Sequence, residues 1–260
     1  MSLLGLGLLS FVAEYMNATL GMGYGTTLTP ILLLLGFPPD VIVPTVLLSG
    51  LVTGLASGGF HHAFGNLSLR KGSRDWGVIG VLASMGAVGV VAAVFASVQL
   101  PESAQKIYIG SMVLAMGVLV FATRKRQLRF SWPRIVALGA VAAFNKGMSG
   151  GGFGPLVVSG QILSGHGVRN AVGVACLSEG MICLVGFPLY LLVHGGGEWL
   201  TAHWMFYVPV LIGAVAAAPI ASWTTRAAVR RFDLRIIIAA VTCILGAWTL
   251  WDTLVPLLRA

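Results

Sequence analysis

NATLGMGYGTT at residues 17–27 and NKGMSGGGFGP at residues 145–155 decide the fold. Each is a glycine cluster holding one aromatic residue, and each leads into a short apolar arm, at 26–37 and 153–164. Arms of about 12 residues are too short to cross a hydrocarbon core of roughly 30 Å as straight helices. Irregular backbone survives at membrane depth only where protein or a water-filled cavity surrounds it. The two clusters therefore predict half-helices or re-entrant arms within an all-α polytopic membrane protein.

The rest of the chain agrees with a membrane solvent. Of 260 residues, 57% are hydrophobic and only 9% charged, and the mean hydropathy is +0.91. A soluble domain carries about 25% charged residues. This stock cannot clothe a soluble enzyme, and it excludes the disordered and fibrous classes. Spanning helices are expected at 2–20, 40–60, 76–98, 104–122, 133–146, 170–193, 203–222 and 234–256. The opening stretch lacks both a basic n-region and a small-residue cleavage motif, so it reads as mature membrane sequence. The net charge of +8 comes from residues spread over several loops, which does not make a nucleic-acid face. Cys176, Cys183 and Cys243 sit in apolar stretches and read as small buried hydrophobes.

A shift of 129 residues superposes the two halves. Gly23, Tyr24 and Gly25 fall on Gly152, Phe153 and Gly154; Leu48 and Ser49 fall on Leu177 and Ser178; Gly117 falls on Gly246. The expected organisation is one membrane domain of two repeats, 1–128 and 129–260. Lys and Arg in short loops stay cytoplasmic. Here they gather at Arg70, Lys71 and Arg74, at Arg124, Lys125, Arg126, Arg129 and Arg134, and at Arg226, Arg230, Arg231 and Arg235. Placing all three groups inside requires the second repeat to be inverted and puts both termini outside. Trp76, Trp132 and Trp223 then fall at the inner interface, with Trp199, Trp204, Trp248 and Trp251 at the outer one. Inverted repeats with glycine-broken segments are an architecture of secondary transporters, whose sites lie near the midplane at the repeat interface.

Glycine lets the backbone take positive φ, and a helix restarting just afterwards aims free N–H donors and its positive dipole end at the break. The expected anion site takes Asn17, Gly21, Gly23, Tyr24, Gly25 and Thr26 from the first half and Asn145, Lys146, Ser149, Gly151, Gly152, Phe153 and Gly154 from the second. Ser49 and Ser178, at equivalent places, are candidate donors to substrate oxygens. Lys146 can neutralise one charge of an anion, or its head can snorkel to the inner interface. Glu179 can pair with Lys146 or carry a proton during transport, and Glu14 can serve the same roles. Asp40 and Arg169, also equivalent, suggest helix-end or gate pairs. His61, His62, His166, His194 and His203 lack metal-ligand spacing, and no hydrolase or nucleotide motif occurs. No metal, cofactor or enzymatic activity is expected.

The stretches GMGYGTTLTPILLLLGFPPDVIVPTVLLSG (21–50) and NKGMSGGGFGPLVVSGQILSGHGVRNAVGVACLSEG (145–180) resemble the paired signatures of the TauE/SafE, or sulfite exporter, family. The resemblance covers essentially the whole chain. It implies a bacterial or archaeal cytoplasmic-membrane transporter, commonly an exporter, for small sulfur-containing anions such as sulfite, sulfoacetate or other organosulfonates. The expected partners are that anion and the lipid bilayer, with a homodimer possible. Alternating access is the expected mechanism. The alternatives are an anion channel, a transporter of another small organic anion, or a membrane-embedded assembly subunit.

Overall fold

The computed structural model describes residues 2–123, 131–194, 196–228 and 232–259. They form ten α-helices: α1 Leu3–Leu20, α2 Tyr24–Leu34, α3 Pro39–Ala63, α4 Arg74–Gln99, α5 Glu102–Thr123, α6 Trp132–Ser149, α7 Phe153–Leu163, α8 Val168–Val193, α9 Gly197–Ala228 and α10 Phe232–Arg259. Backbone polar groups in lipid must be satisfied within the segment, which is why apolar runs of this length resolve into helices. Seven of the helices are long and apolar enough to cross a bilayer. The expected span at 133–146 is α6, whose last turn carries Asn145, Lys146 and Ser149 and which is less apolar than the seven.

The helix ends have local causes. Ser2 and Ser73 accept hydrogen bonds from the N–H groups of Gly5 and Trp76, both at 3.2 Å, and so cap α1 and α4. Prolines stand in the first turn of α3 and of α6, where a missing N–H costs nothing. Gly21, with φ 74°, ends α1, and Gly150, with φ 71°, ends α6. Gly23 and Gly152 follow with φ 129° and 81°. These left-handed steps reverse the chain, and no side chain with a Cβ adopts them cheaply.

Helix directions follow from which residues meet. Gly7 lies on Gly213, Ser10 donates to the carbonyl of Val210 at 2.6 Å, and Thr225 donates to that of Ala18 at 3.0 Å, so α1 and α9 run parallel. Likewise Gly77 meets Trp132 and Gly147 meets Ala93, so α4 and α6 run parallel. Gly50 faces Cys183, Gly54 faces Gly180 and Gly58 faces Leu177, which makes α3 and α8 antiparallel. Gly110 on Leu250 and Gly117 on Cys243 make α5 and α10 antiparallel as well. Small residues at these crossings let backbones approach closely, the packing available where lipid offers no hydrophobic drive between helices.

The two short arms are re-entrant. Gly23 lies beside Met16, and the far end of α2 reaches Phe37, which stacks on Phe206 at a ring separation of 4.6 Å, near the face where α1 begins. Gly152 lies beside Asn145 and Gly160 beside Leu138, so α7 runs back along α6 to Ser164, whose carbonyl accepts from Arg74 at 3.2 Å. The hairpins α1–α2 and α6–α7 thus enter from opposite faces. One face carries Arg70, Lys71, Arg74, the start of α6 with Arg134, and the ends of α3 and α9. The other carries the start of α1, the end of α10 and the turn at Asp40, whose carbonyl accepts from the Trp199 indole at 3.2 Å. Arg124, Lys125, Arg126, Arg129, Arg230 and Arg231 lie outside the described residues.

One interface expectation is corrected. Trp76, Trp132 and Trp223 are exposed toward one face and Trp204, Trp248 and Trp251 toward the other, but Trp199 is 6% exposed. Its ring stacks with His203 and Tyr207 and its N–H is held by Asp40, so it packs the bundle and does not face lipid headgroups.

Candidate functional site

The tips of the two hairpins overlap in the interior. A Cβ placed on Gly25 would strike the carbonyl oxygen of Gly150 and come within 2.5 Å of the Gly151 Cα. One placed on Gly154 would strike the carbonyl of Gly21 and come within 3.2 Å of the Met22 Cα. Only side-chain-free residues allow this backbone-to-backbone approach. Immediately beyond it α2 and α7 begin, and neither has a side-chain cap at its first N–H groups. Two helix N-termini with uncapped donors therefore converge on one place, the arrangement that favours negative charge.

Between them lies a narrow hollow of about 10 Å³, room for roughly one water. Asn17, Gly23, Tyr24, Gly25 and Thr26 line it from the first hairpin, and Gly151, Gly152, Phe153, Gly154 and Pro155 from the second, with Glu179 of α8 beside them. The remaining sequence candidates stand behind this lining. Gly21 underlies Gly154. Ser149 donates to the Asn145 carbonyl at 2.6 Å and accepts from the Gly151 N–H at 3.0 Å, so its hydroxyl is spent on shaping its own turn. Asn145 accepts from the Tyr108 hydroxyl at 2.5 Å. Ser49 accepts from the Tyr24 hydroxyl at 2.5 Å. Ser178 is buried and its hydroxyl has no hydrogen-bond partner. The paired serines are thus absent from the lining, and Ser49 instead holds Tyr24 in place.

Lys146 does not snorkel: it is 0% exposed. Its Nζ donates to Glu179 Oε1 at 2.6 Å and sits 5.8 Å from the centre of the Tyr24 ring. A Cβ on Gly50 would lie 3.2 Å from that Nζ, so the glycine makes the room the ammonium occupies. Glu14, also buried, accepts from Asn17 Nδ2 through Oε2 at 3.2 Å, while its Oε1 has no partner. It lies within electrostatic reach of both Glu179 and Lys146. Beside the pair of helix N-termini the described residues therefore place a buried cation, Lys146, and two buried carboxyl groups, Glu14 and Glu179.

Three contributors escaped the sequence reading. Ser10 lies 3.2 Å from the Tyr24 hydroxyl and ties it to α9 through Val210. Tyr108 orients Asn145 from α5, and Cys183 faces Gly50 beside Lys146. Each is a lone polar or sulfur-bearing residue in an apolar run, and only a partner distant in sequence distinguishes it from ordinary core.

The fold and site define a multi-pass helical membrane bundle whose broken hairpins meet beside a buried ion pair, and the family it matches makes it a membrane transporter, not an enzyme. Residues 6–249 match the family described as Sulfite exporter TauE/SafE, and the chain belongs to it. It is similar to the probable membrane transporter protein YtnM of Bacillus subtilis (strain 168), with 33% identity over 230 residues, covering 84% of this chain and 72% of that protein. No solved structure matches the chain.

Proposed function

We propose that the chain moves small sulfur-containing anions, such as sulfite, sulfoacetate or other organosulfonates, across the cytoplasmic membrane by alternating access. The observation that carries this reading is the convergence of two uncapped helix N-termini, from hairpins entering by opposite faces, beside the buried Lys146. Oxyanions offer several acceptor oxygens to such donors, with Asn17 and Lys146 adding side-chain donors. The family name gives the substrate class its sulfur.

The two halves, 1–128 and 129–260, act as inverted repeats. Gly25 against the Gly150 carbonyl and Gly154 against the Gly21 carbonyl are one contact written twice under the shift of 129 residues. Gly117 against the Ala239 carbonyl and Gly246 against the Gly110 carbonyl are another such pair. The equivalent helices α3 and α8, and α5 and α10, run antiparallel, as inversion requires. The basic face with Arg70, Lys71, Arg74 and Arg134 is cytoplasmic, so both termini lie outside.

A hollow the size of one water is the closed point of the cycle. Admitting a sulfonate requires one hairpin to withdraw from the other, and withdrawal toward either face exposes the site to that side. The test is counterflow in proteoliposomes with labelled sulfite, methanesulfonate and sulfoacetate. Saturable exchange of at least one of them supports a carrier. Flux that neither saturates nor exchanges identifies a channel and ends the alternating-access reading.

A further inference from the structure

We infer that the buried polar face of α3, formed by Ser49, Thr53, Ser57 and His61, lines the passage between the anion site and the basic face, and that His61 and Asn66 latch it shut. This deepens the transport reading above and rests on it.

Breaking α1 at Gly21 strands the carbonyls of its last turn inside the bundle, where neither a following turn nor lipid can donate to them. Two other helices supply the donors. The Ala18 carbonyl accepts from His61 Nε2 of α3 at 3.0 Å and from Thr225 Oγ1 of α9, also at 3.0 Å. With the proton on Nε2, His61 Nδ1 accepts from Asn66 Nδ2 at 3.2 Å, and the same amide donates to the Ser222 carbonyl of α9 at 2.9 Å. One knot of hydrogen bonds thus ties the tip of hairpin α1–α2 to α3 and α9, in the last turn of α3 before the basic face.

From that knot a polar line leads inward. His61, Ser57, Thr53 and Ser49 recur every fourth residue, so they share one face of α3 over about 18 Å. All four are 1% exposed or less. Ser49 holds Tyr24 of the hollow, Thr53 faces the Glu14 carboxyl and His61 meets Ala18, so this face looks onto hairpin α1–α2 along its length. Packing alone does not ask for polarity here. Under the shift of 129 residues the same positions of α8 are Ser178, Ile182, Gly186 and Tyr190, a mostly apolar face. The Ser57 hydroxyl has no hydrogen-bond partner among the described residues, nor has Asn66 Oδ1 or the Ser222 hydroxyl. Water admitted by an open passage satisfies all three. Withdrawal of the hairpin parts Ala18 from His61 and Thr225 and opens this face. The anion then moves between the hollow and the basic face along hydroxyl and imidazole donors.

The experiment reads the passage by thiol accessibility in vesicles holding the full chain. Ser57→Cys and Thr53→Cys probe the polar line. Ala143→Cys, equally buried but packed against Gly86 of α4, reports general loosening of the bundle. Lys71→Cys, exposed on the basic face, marks the side from which a membrane-impermeant trimethylammonium methanethiosulfonate reagent arrives. The original protein gives the background from Cys176, Cys183 and Cys243. Both probes should react from the side of Lys71→Cys, about tenfold or more faster than Ala143→Cys, since opening a passage is cheaper than unfolding the bundle. Adding Asn66→Ala or Thr225→Val should speed both probes by about 5- to 30-fold, the weight of one or two hydrogen bonds, and leave Ala143→Cys unchanged. Reaction at Ser57→Cys should block counterflow of labelled methanesulfonate. Melting followed by tryptophan fluorescence identifies a misfolded variant, and the two probes and two latch variants are read independently. Probes that react no faster than Ala143→Cys, that react from the opposite side, or that ignore both latch variants overturn the passage alone. Absence of counterflow for sulfite, methanesulfonate and sulfoacetate by the original protein overturns the transport reading itself.

Discussion

Replacing Lys146 with Met tests whether the buried ion pair holds the hairpins together. The substitution keeps an unbranched chain of similar length and removes only the ammonium. Glu179 is then left in the interior, 5% exposed, having lost a charge-assisted hydrogen bond of 2.6 Å. Breaking a buried pair from one side costs about 3–5 kcal/mol, because the surviving charge has neither water nor partner. For a chain of this size that is a fall in melting temperature on the order of 10 °C. Glu179→Gln should cost a similar amount, since it orphans the ammonium. The double variant Lys146→Met with Glu179→Gln buries no unpaired charge and should return to within about 1 kcal/mol of the original protein. The single costs therefore do not add, and the shortfall measures the coupling. Thermal unfolding of the four proteins in one detergent, followed by tryptophan fluorescence, completes the cycle, and anion counterflow is measured on the same samples. The double variant should be stable yet inactive in exchange. Either single variant melting with the original protein would refute the buried pair, and a double variant that exchanges anions normally would remove Lys146 from the binding machinery.

Gly25→Ala places a methyl group against the Gly150 backbone, where no side chain can swing away, so it should cost at least the 1–3 kcal/mol typical of overpacking. Thermal unfolding reads that loss, and counterflow should fall with it because the tips can no longer meet. Tyr108→Phe removes the 2.5 Å hydrogen bond to Asn145 Oδ1 and leaves that amide short of a donor, a loss of about 1–3 kcal/mol in thermal unfolding. His166, between α7 and α8, is held below its ordinary value of 6.5 by burial and by the nearby Arg74, with Asp75 acting in the opposite sense. The fold thus prefers the neutral ring. Below about pH 6.5 the unfolded chain takes up a proton that the folded chain refuses, so stability should fall as the solution is acidified through and below that value. His166→Gln should flatten that part of the curve of melting temperature against pH, and an unchanged slope would show that the ring takes no part.

Much of the site was legible because glycine is informative in an apolar chain. Gly21, Gly23, Gly150 and Gly152 take the positive φ values that end one helix and reverse into the next, a requirement no other residue meets as easily. The charge count around Lys146, Glu14 and Glu179 was legible for a similar reason: an ionisable residue in a membrane segment has few harmless explanations. Where the structure gives a residue neighbours that the sequence does not suggest, the cause is uniform. Ser49 and Ser149 look like free donors, but a hydroxyl takes whichever acceptor or donor the fold brings to it, and here those are Tyr24, Asn145 and Gly151. Trp199 shows the same limit, since an indole suits a headgroup belt and a buried bond to Asp40 equally well.

The amino-acid order alone determined a helical membrane protein, the two places where its helices break, and the family to which it belongs. These follow from local physics: backbone polar groups need partners in lipid, and only glycine tolerates the reversing steps. Tertiary structure alone decided that the arms turn back toward the face they came from, that Gly25 rests on Gly150 and Gly154 on Gly21, and that the Lys146 ammonium stays inside with Glu179. Such contacts join residues more than 30 positions apart. Which of several acceptable partners a lysine or a hydroxyl meets depends on how helices pack, and that is a property of the whole bundle.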